Sequence, residues 1–199
     1  DGGTMGIVLF GTTGESPTLS KYEKIQILSY VTENFLGKIS IVVGIGGNDT
    51  FSVIEFAKEC YTICSKISAF MVTVPNYNKP SQEGIFQHFK TISNNVMFPI
   101  MMYNIPSRCG VNMTPHTITK LYNECDNIVA IKEASGSWDQ VCEIKTLCNI
   151  KIYAGDDSMV FPIMKLGGYG VVSVLGNLEP KIISELVKYL STDRTDVDV

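Results

Sequence analysis

A lysine at the end of a short apolar run carries the chemistry of a nucleophile. The run reads IVAIKE over residues 128–133, and side chains alternate between the two faces of a strand, so Ala130 and Lys132 share a face. If that face is interior, burial lowers the pKa of Lys132, and an unprotonated amine can attack a carbonyl carbon. The alternative is a strand-end lysine that reaches solvent or pairs with Glu133.

Two further segments carry groups that could hold a carboxylate or move a proton. Residues 11–16 read GTTGES, and the threonine hydroxyls with adjacent backbone N–H groups could bind a carboxylate. Residues 103–108 read YNIPSR, in which Tyr103 could relay protons and Arg108 could bind a carboxylate with two hydrogen bonds. The alternatives are an ordinary capped turn, a core tyrosine and a solvated arginine.

Other polar patterns do not predict a metal or a nucleotide. The GIGGN segment at 44–48 has the wrong third glycine spacing for a dinucleotide site. The acidic pair after Gly155 is more typical of helix capping than of a metal site. His88 and His116 are the two histidines, and neither has cysteines or carboxylates at the spacing of a zinc site. We therefore expect no metal.

Composition excludes several classes of protein. The chain has 199 residues, 45% of them hydrophobic and 18% charged, with a net charge of -4. These values argue against intrinsic disorder and against a basic nucleic-acid-binding surface. No apolar run is long enough to cross a membrane. The six cysteines lack a C-x-x-C pair, which favours free thiols in a reducing cytoplasm.

Short apolar runs alternate with amphipathic stretches along the chain. Nearly continuous apolar runs are typical of parallel strands buried on both faces. We predict strands at 6–10, 39–43, 69–74, 99–103, 128–132, 151–154 and 170–174. We predict helices at 20–35, 52–64, 82–94, 115–124, 138–147, 157–166 and 178–190. Ser20 with Glu23 forms a capping-box pattern, and Pro115 after Thr114 marks another helix start.

The β-then-α order is compatible with an open doubly wound sheet or with a (β/α)₈ TIM barrel. Polar residues lie at or near the ends of six predicted strands, as in a barrel whose active site occupies that face. They are Thr12, Tyr77, Tyr103, Lys132, Asp156 and Ser173. Since only seven strands are predicted, we expect an incomplete TIM barrel, residues 1–199 forming one domain truncated at both ends.

The motifs form an ordered set that resembles the dihydrodipicolinate synthase family, within the pyruvate-dependent class I aldolases that also include N-acetylneuraminate lyase. The set covers nearly the whole chain. It consists of GTTGES at 11–16, PNYNKPSQEG at 75–84, YNIPSR at 103–108, IKEA at 131–134, AGDD at 154–157 and GYGVVSV at 168–174. Against this family, the first strand and a carboxyl-terminal helical domain are expected to be missing.

The resemblance implies catalytic roles for four residues. Lys132 would form a Schiff base with pyruvate. Thr12, Tyr103 and Tyr77 would form a proton relay, with Tyr77 reaching into the site of a neighbouring subunit. That role implies a homo-oligomer, either a dimer or a tetramer.

The resemblance also implies binding roles for four residues. Thr13 would hold the pyruvate carboxylate, Arg108 would bind the carboxylate of aspartate semialdehyde, and Gly155 and Val172 would line the pocket. No metal or organic cofactor is implied. Because sialic-acid lyases lack the serine and arginine that follow YNIP, Arg108 favours the synthase. A different pyruvate-dependent aldolase and a catalytically silent barrel remnant stay as alternatives.

Some positions depart from members of the family that lysine inhibits. The tyrosine pair after Pro75 is reduced to Asn76 and Tyr77, and Ser52 stands where a glutamate contacts the inhibitor. Lys21 or Lys24 replaces a histidine. We therefore expect no feedback inhibition by lysine.

Overall fold

Seven parallel strands form one sheet in which each strand pairs with the next along the chain. The computed structural model describes residues 2–192; residue 1 and residues 193–199, which the predicted domain includes, lie outside the described residues. The strands are β1 (Gly6–Leu9), β2 (Ser40–Gly44), β3 (Ala69–Thr73), β4 (Ile100–Asn104), β5 (Ile128–Glu133), β6 (Lys151–Ala154) and β7 (Gly170–Val171).

The helices follow the strands and cover the outer face of the sheet. They are α1 (Lys21–Phe35), α2 (Thr50–Ile63), α3 (Gln82–Asn95), α4 (Pro106–Cys109), α5 (Pro115–Glu124), α6 (Trp138–Leu147), α7 (Val160–Lys165) and α8 (Pro180–Thr192). The capping box at Ser20 is present, as predicted. The Thr114 hydroxyl caps α5, also as predicted. Among the described residues, no helix has the length and apolar character needed to cross a membrane.

Strand alternation separates an inner face from an outer face. Tyr103 of β4, Lys132 of β5 and Tyr153 of β6 are register partners, so their side chains leave the sheet on the same face. Ile131 and Ile152 leave on the other face, where both are buried. Because the helices bury this outer face, Lys132 and its register partners point toward the interior of the curved sheet.

The sheet is an open part of a barrel. In the described part of the chain, β1 and β7 each pair with one neighbour only. Val42 alternates with buried residues of β2, which places it on the inner face, and Val8 is its register partner. Both are partly exposed. The fold prediction of an incomplete TIM barrel with seven strands is confirmed, and each of the six cysteines is a free thiol.

Several element boundaries differ from the predicted ones because side-chain hydrogen bonds fix them. The last strand was predicted to run to residue 174, but it ends at Val171, since Val174 and Leu175 donate their backbone N–H groups to Asp157. α2 begins at Thr50 rather than at Ser52 because the Asp49 carboxylate caps it.

The remaining differences lie at prolines and short turns. Helix α4 was not predicted; its four residues start at Pro106. The predicted helix at 157–166 is a 3₁₀ turn, Asp157–Met159, followed by the short α7. The last helix starts at Pro180 rather than at residue 178, as suits proline in a first helical turn.

Candidate active site

Lys132 lies in the interior of the curved sheet with only 7% of its surface exposed. Its Nζ sits 4.0 Å from the centroid of the Tyr103 ring. Burial lowers the pKa of Lys132 to about 8, with Arg108 lowering it further and Asp157 opposing the shift. Near neutral pH the unprotonated fraction of this amine is larger than that of an ordinary lysine, and the unprotonated amine can attack a carbonyl carbon.

Tyr103 and Thr12 form a second part of the site. The two side chains share a hydrogen bond, and burial raises the pKa of the Tyr103 phenol. Thr12 lies in the turn after β1, and its backbone carbonyl accepts the N–H of Glu15 at 3.0 Å. A protonated phenol joined to a hydroxyl beside an amine can pass a proton to or from a group bound there.

Gly155 forms the wall of the site beside the lysine stem. A Cβ added at Gly155 would lie 3.0 Å from Lys132 Cγ and 2.7 Å from Ala134 Cβ. The Gly155 N–H is bonded to the Glu133 carbonyl at 2.8 Å, so the backbone cannot easily retreat. A side chain at this position would push the lysine out of place. Val172 directly follows β7 and donates its N–H to the Ala154 carbonyl at 2.9 Å.

Asp157 joins the ends of β6 and β7 over the site. Its carboxylate accepts hydrogen bonds from the Ser173 hydroxyl and from the N–H groups of Val174 and Leu175, the last at 2.9 Å. The sequence signal for this role was the paired acidic residues after Gly155, which we interpreted as helix capping. Only Asp156 acts in that way, accepting from the Ser158 N–H.

Two predicted binding residues, one on a short helix and one in a turn, have exposed side chains. Arg108 is on α4, and its charge lowers the pKa of both Tyr103 and Lys132. Thr13 lies in the turn after β1. Both side chains border solvent, and their binding roles stay predictions.

The structure does not bring Tyr77 to Lys132. The tyrosine lies in the loop after β3, 85% exposed. Its φ of 71° is left-handed, a conformation uncommon for residues other than glycine. The role of Tyr77 in the site of a neighbouring subunit stays a prediction.

The GIGGN segment lines a separate cavity instead of a nucleotide site. A side chain on Gly46 would collide with the Thr73 hydroxyl, so this glycine is needed for close packing of neighbouring strands. The cavity has a volume of about 480 Å³, and its wall includes Lys21, Lys24, Asn48 and Ser52. Of the positions that the family resemblance singled out for lysine, Lys21, Lys24 and Ser52 line this cavity, whereas Asn76 is not among its lining residues. The absence of lysine inhibition stays an expectation.

Comparisons with known proteins find relatives over nearly the whole chain. The chain is 40% identical over 196 residues to a 4-hydroxy-tetrahydrodipicolinate synthase of Methanococcus maripaludis, covering 98% of this chain and 67% of the relative. It is 46% identical over 188 residues to the Parabacteroides distasonis protein of the same name, covering 94% and 63%.

Solved structures give the same result. The dihydrodipicolinate synthase of Aquifex aeolicus superposes with a TM-score of 0.92 at 38% identity, covering 96% of this chain and 65% of that one. The Acinetobacter baumannii enzyme complexed with pyruvate superposes with a TM-score of 0.91 at 36% identity, covering 97% and 66%. The chain thus spans about two thirds of the length of these relatives. Residues 1–197 match the Dihydrodipicolinate synthetase family, and the chain belongs to that family.

Proposed function

We propose that this chain carries the active site of a Schiff-base lyase that condenses pyruvate with L-aspartate 4-semialdehyde. The product would be 4-hydroxy-tetrahydrodipicolinate, a precursor of diaminopimelate and lysine, made in the cytoplasm. The observation that carries the proposal is the buried amine of Lys132, whose pKa of about 8 and contact with the Tyr103 ring suit attack on a keto acid.

The reaction begins with attack of the Lys132 amine on the keto carbon of pyruvate. Loss of water gives an imine, and loss of a methyl proton gives an enamine. The enamine carbon then attacks the aldehyde carbon of the second substrate, whose oxygen takes up a proton. The amine of that substrate displaces Lys132 from the imine and closes the ring. Tyr103 and Thr12, joined by a hydrogen bond, would carry the protons.

The proposed binding roles are those that the family resemblance implies. Thr13 and nearby backbone N–H groups would hold the pyruvate carboxylate, while Gly155 and Val172 would form the pocket wall. Arg108 would bind the carboxylate of the semialdehyde, because a guanidinium pairs with a carboxylate through two hydrogen bonds. Tyr77 would complete the proton relay of a second subunit in a homo-oligomer.

A substrate panel tests the proposed reaction. The protein expressed from its complete reading frame should consume aspartate semialdehyde with pyruvate, and should not cleave N-acetylneuraminate or keto-sugar acids. Preferential cleavage of a sugar acid would favour the alternative aldolase. If the protein neither turned over a substrate nor formed an imine with pyruvate, it would be a catalytically silent barrel.

Imine formation should depend on pH in a way set by the neighbours of Lys132. The amine is the nucleophile, so trapping of the pyruvate imine should rise with pH through an apparent pKa near 8. The initial trapping rate measured from pH 6 to 10 checks this expectation. Asp157→Asn should move the midpoint down, because Asp157 raises the pKa of Lys132. A wild-type midpoint near the ordinary lysine value would contradict the account.

Arg108→Ala should weaken use of the semialdehyde by roughly 10- to 100-fold in kcat/KM, the loss expected for a hydrogen bond to a charged group. Because Arg108 lowers the pKa of Lys132, imine trapping should be compared at pH 9 or above, where it should change little. The matched control is Lys181→Ala, which removes one exposed cation from α8. Unchanged kinetics in Arg108→Ala would make Arg108 an ordinary surface residue.

A further inference from the structure

A buried polar cluster lies directly behind the two residues at the centre of the site. Asn104 follows Tyr103 in β4, and Glu133 follows Lys132 in β5. Since neighbouring residues of a strand leave it on opposite faces, these two side chains point toward the helices. They are 0% and 2% exposed. The proposed reaction uses neither of them.

Glu133 is the charged member of this cluster, and three groups donate to it. The Ser135 N–H donates to Oε1 at 2.7 Å, the Gln140 amide donates to Oε2 at 3.1 Å, and the Asn104 amide donates to Oε2 at 3.1 Å. Burial raises the pKa of Glu133, and these hydrogen bonds oppose the shift. All three groups donate, so the site suits an acceptor with two carboxylate oxygens.

From Glu133 the contacts run to the segment that follows Arg108. The Asn104 side-chain amide also donates to Asn112 Oδ1 at 2.8 Å. The Asn104 side-chain oxygen, Oδ1, accepts the Met113 N–H at 3.0 Å. The Asn112 amide donates to Gln140 Oε1 at 2.7 Å. The far end of the loop containing α4 is therefore bonded to side chains held by Glu133.

A second support comes from α3. Gln82 donates to the Asn112 carbonyl at 2.7 Å, and its own carbonyl oxygen accepts the Thr114 N–H at 3.0 Å and the Thr117 hydroxyl at 2.7 Å. The loop is thus fixed from both sides at its carboxyl end. Arg108 lies between that end and β4, and its exposed side chain makes no hydrogen bond with the other described residues.

We propose that Glu133 is a positioning residue, which through Asn104, Gln140 and Asn112 fixes the loop that presents Arg108 to the second substrate. This inference rests on the proposed function, because it concerns the carboxylate of the aldehyde substrate. Glu133 does not touch the reacting atoms, since it lies on the opposite face of β5 from Lys132. Its effect should appear in the use of the semialdehyde and not in the reaction of the amine with pyruvate.

Glu133→Gln is the direct test. Glutamine keeps the shape of the side chain but turns one acceptor into an amide donor, which then faces another donor. We expect the KM for aspartate semialdehyde to rise about tenfold, the size of effect that follows when one hydrogen bond to a charged group is lost. The KM for pyruvate and the rate of imine trapping should stay within about twofold of wild type.

The matched control lies at the other end of the same strands. Asn127→Ala removes an amide that bonds the carbonyls of Val96 and Ser93, the former at 2.6 Å, just before β5. It should lower thermal stability without the selective rise in the semialdehyde KM. Asn112→Ala, which leaves the Glu133 carboxylate in place, should reproduce that rise even if Glu133→Gln does not fold.

The outcomes separate the inference from the proposed function. If wild-type protein forms no imine with pyruvate, the proposed function fails and the positioning role fails with it. If wild type is active but both substrates are affected equally in Glu133→Gln and Asn112→Ala, only the positioning role is overturned. The same holds if the semialdehyde KM is unchanged in whichever of these two variants folds.

Discussion

Replacing Tyr103 with phenylalanine should lower kcat by about 100- to 10,000-fold, the usual contribution of a general acid–base group. The ring beside Lys132 would remain, so the amine would keep its apolar surroundings and its contact with the π face. Only the hydroxyl bonded to Thr12 would be lost. We therefore expect pyruvate to be trapped on the lysine while condensation nearly stops.

The measurement for Tyr103→Phe is a pair of assays on one preparation, steady-state turnover and borohydride trapping. Tyr61→Phe is the control, because Tyr61 is an exposed ring on α2 whose hydroxyl lies outside the site. If Tyr103→Phe kept more than about a tenth of wild-type kcat, Tyr103 would not be the principal proton donor or acceptor.

Tyr77→Phe should also lose condensation activity by a factor of about 100 or more, yet its activity should return in mixtures with Lys132→Ala. The tyrosine is 85% exposed in the single chain, and its left-handed φ of 71° is held by a loop between Pro75 and Pro80. A ring presented outward in this way could enter a neighbouring subunit across a two-fold interface.

Symmetry sets the size of the recovery. In a mixed dimer of Tyr77→Phe and Lys132→Ala, one of the two sites combines a wild-type lysine with a wild-type tyrosine. With equal mixing, half of the dimers are mixed, so about a quarter of wild-type activity should return. Native mass spectrometry verifies the exchange of subunits. Confirmed exchange without recovered activity would mean that Tyr77 acts within its own chain or has no part in catalysis.

The parts of the fold that depend on local pattern were accessible from the sequence. Nearly continuous apolar runs predicted all seven strands, since strands buried on both faces are mostly apolar. The alternation around Ala130 and Lys132 predicted that these residues share a face, which would be interior if the β-branched side chains faced the helices. The structure places Lys132 on the inner face, where it is buried. Local capping signals at Ser20 and Thr114 likewise fixed two helix starts correctly.

Most of the parts that failed depend on contacts between distant residues. The end of β7 is set by Asp157, which lies far from it along the chain. The start of α2 is an exception, because the residue that caps it, Asp49, directly precedes the helix and was a local signal that the prediction missed. The hydrogen bonds from Glu133 to Gln140 and Asn104 join separate elements, so a polar residue such as Asn104 carries no sign of its partner. Local periodicity contains none of this information.

Pyruvate trapping followed by peptide mapping tests the central claim most directly. The protein is incubated with pyruvate and borohydride, digested, and searched by mass spectrometry for a reduced adduct. The account predicts one adduct, on Lys132, and none in Lys132→Ala, although other lysines such as Lys21 and Lys181 are far more exposed. An adduct on a different lysine, or wild-type protein that forms none, would contradict it.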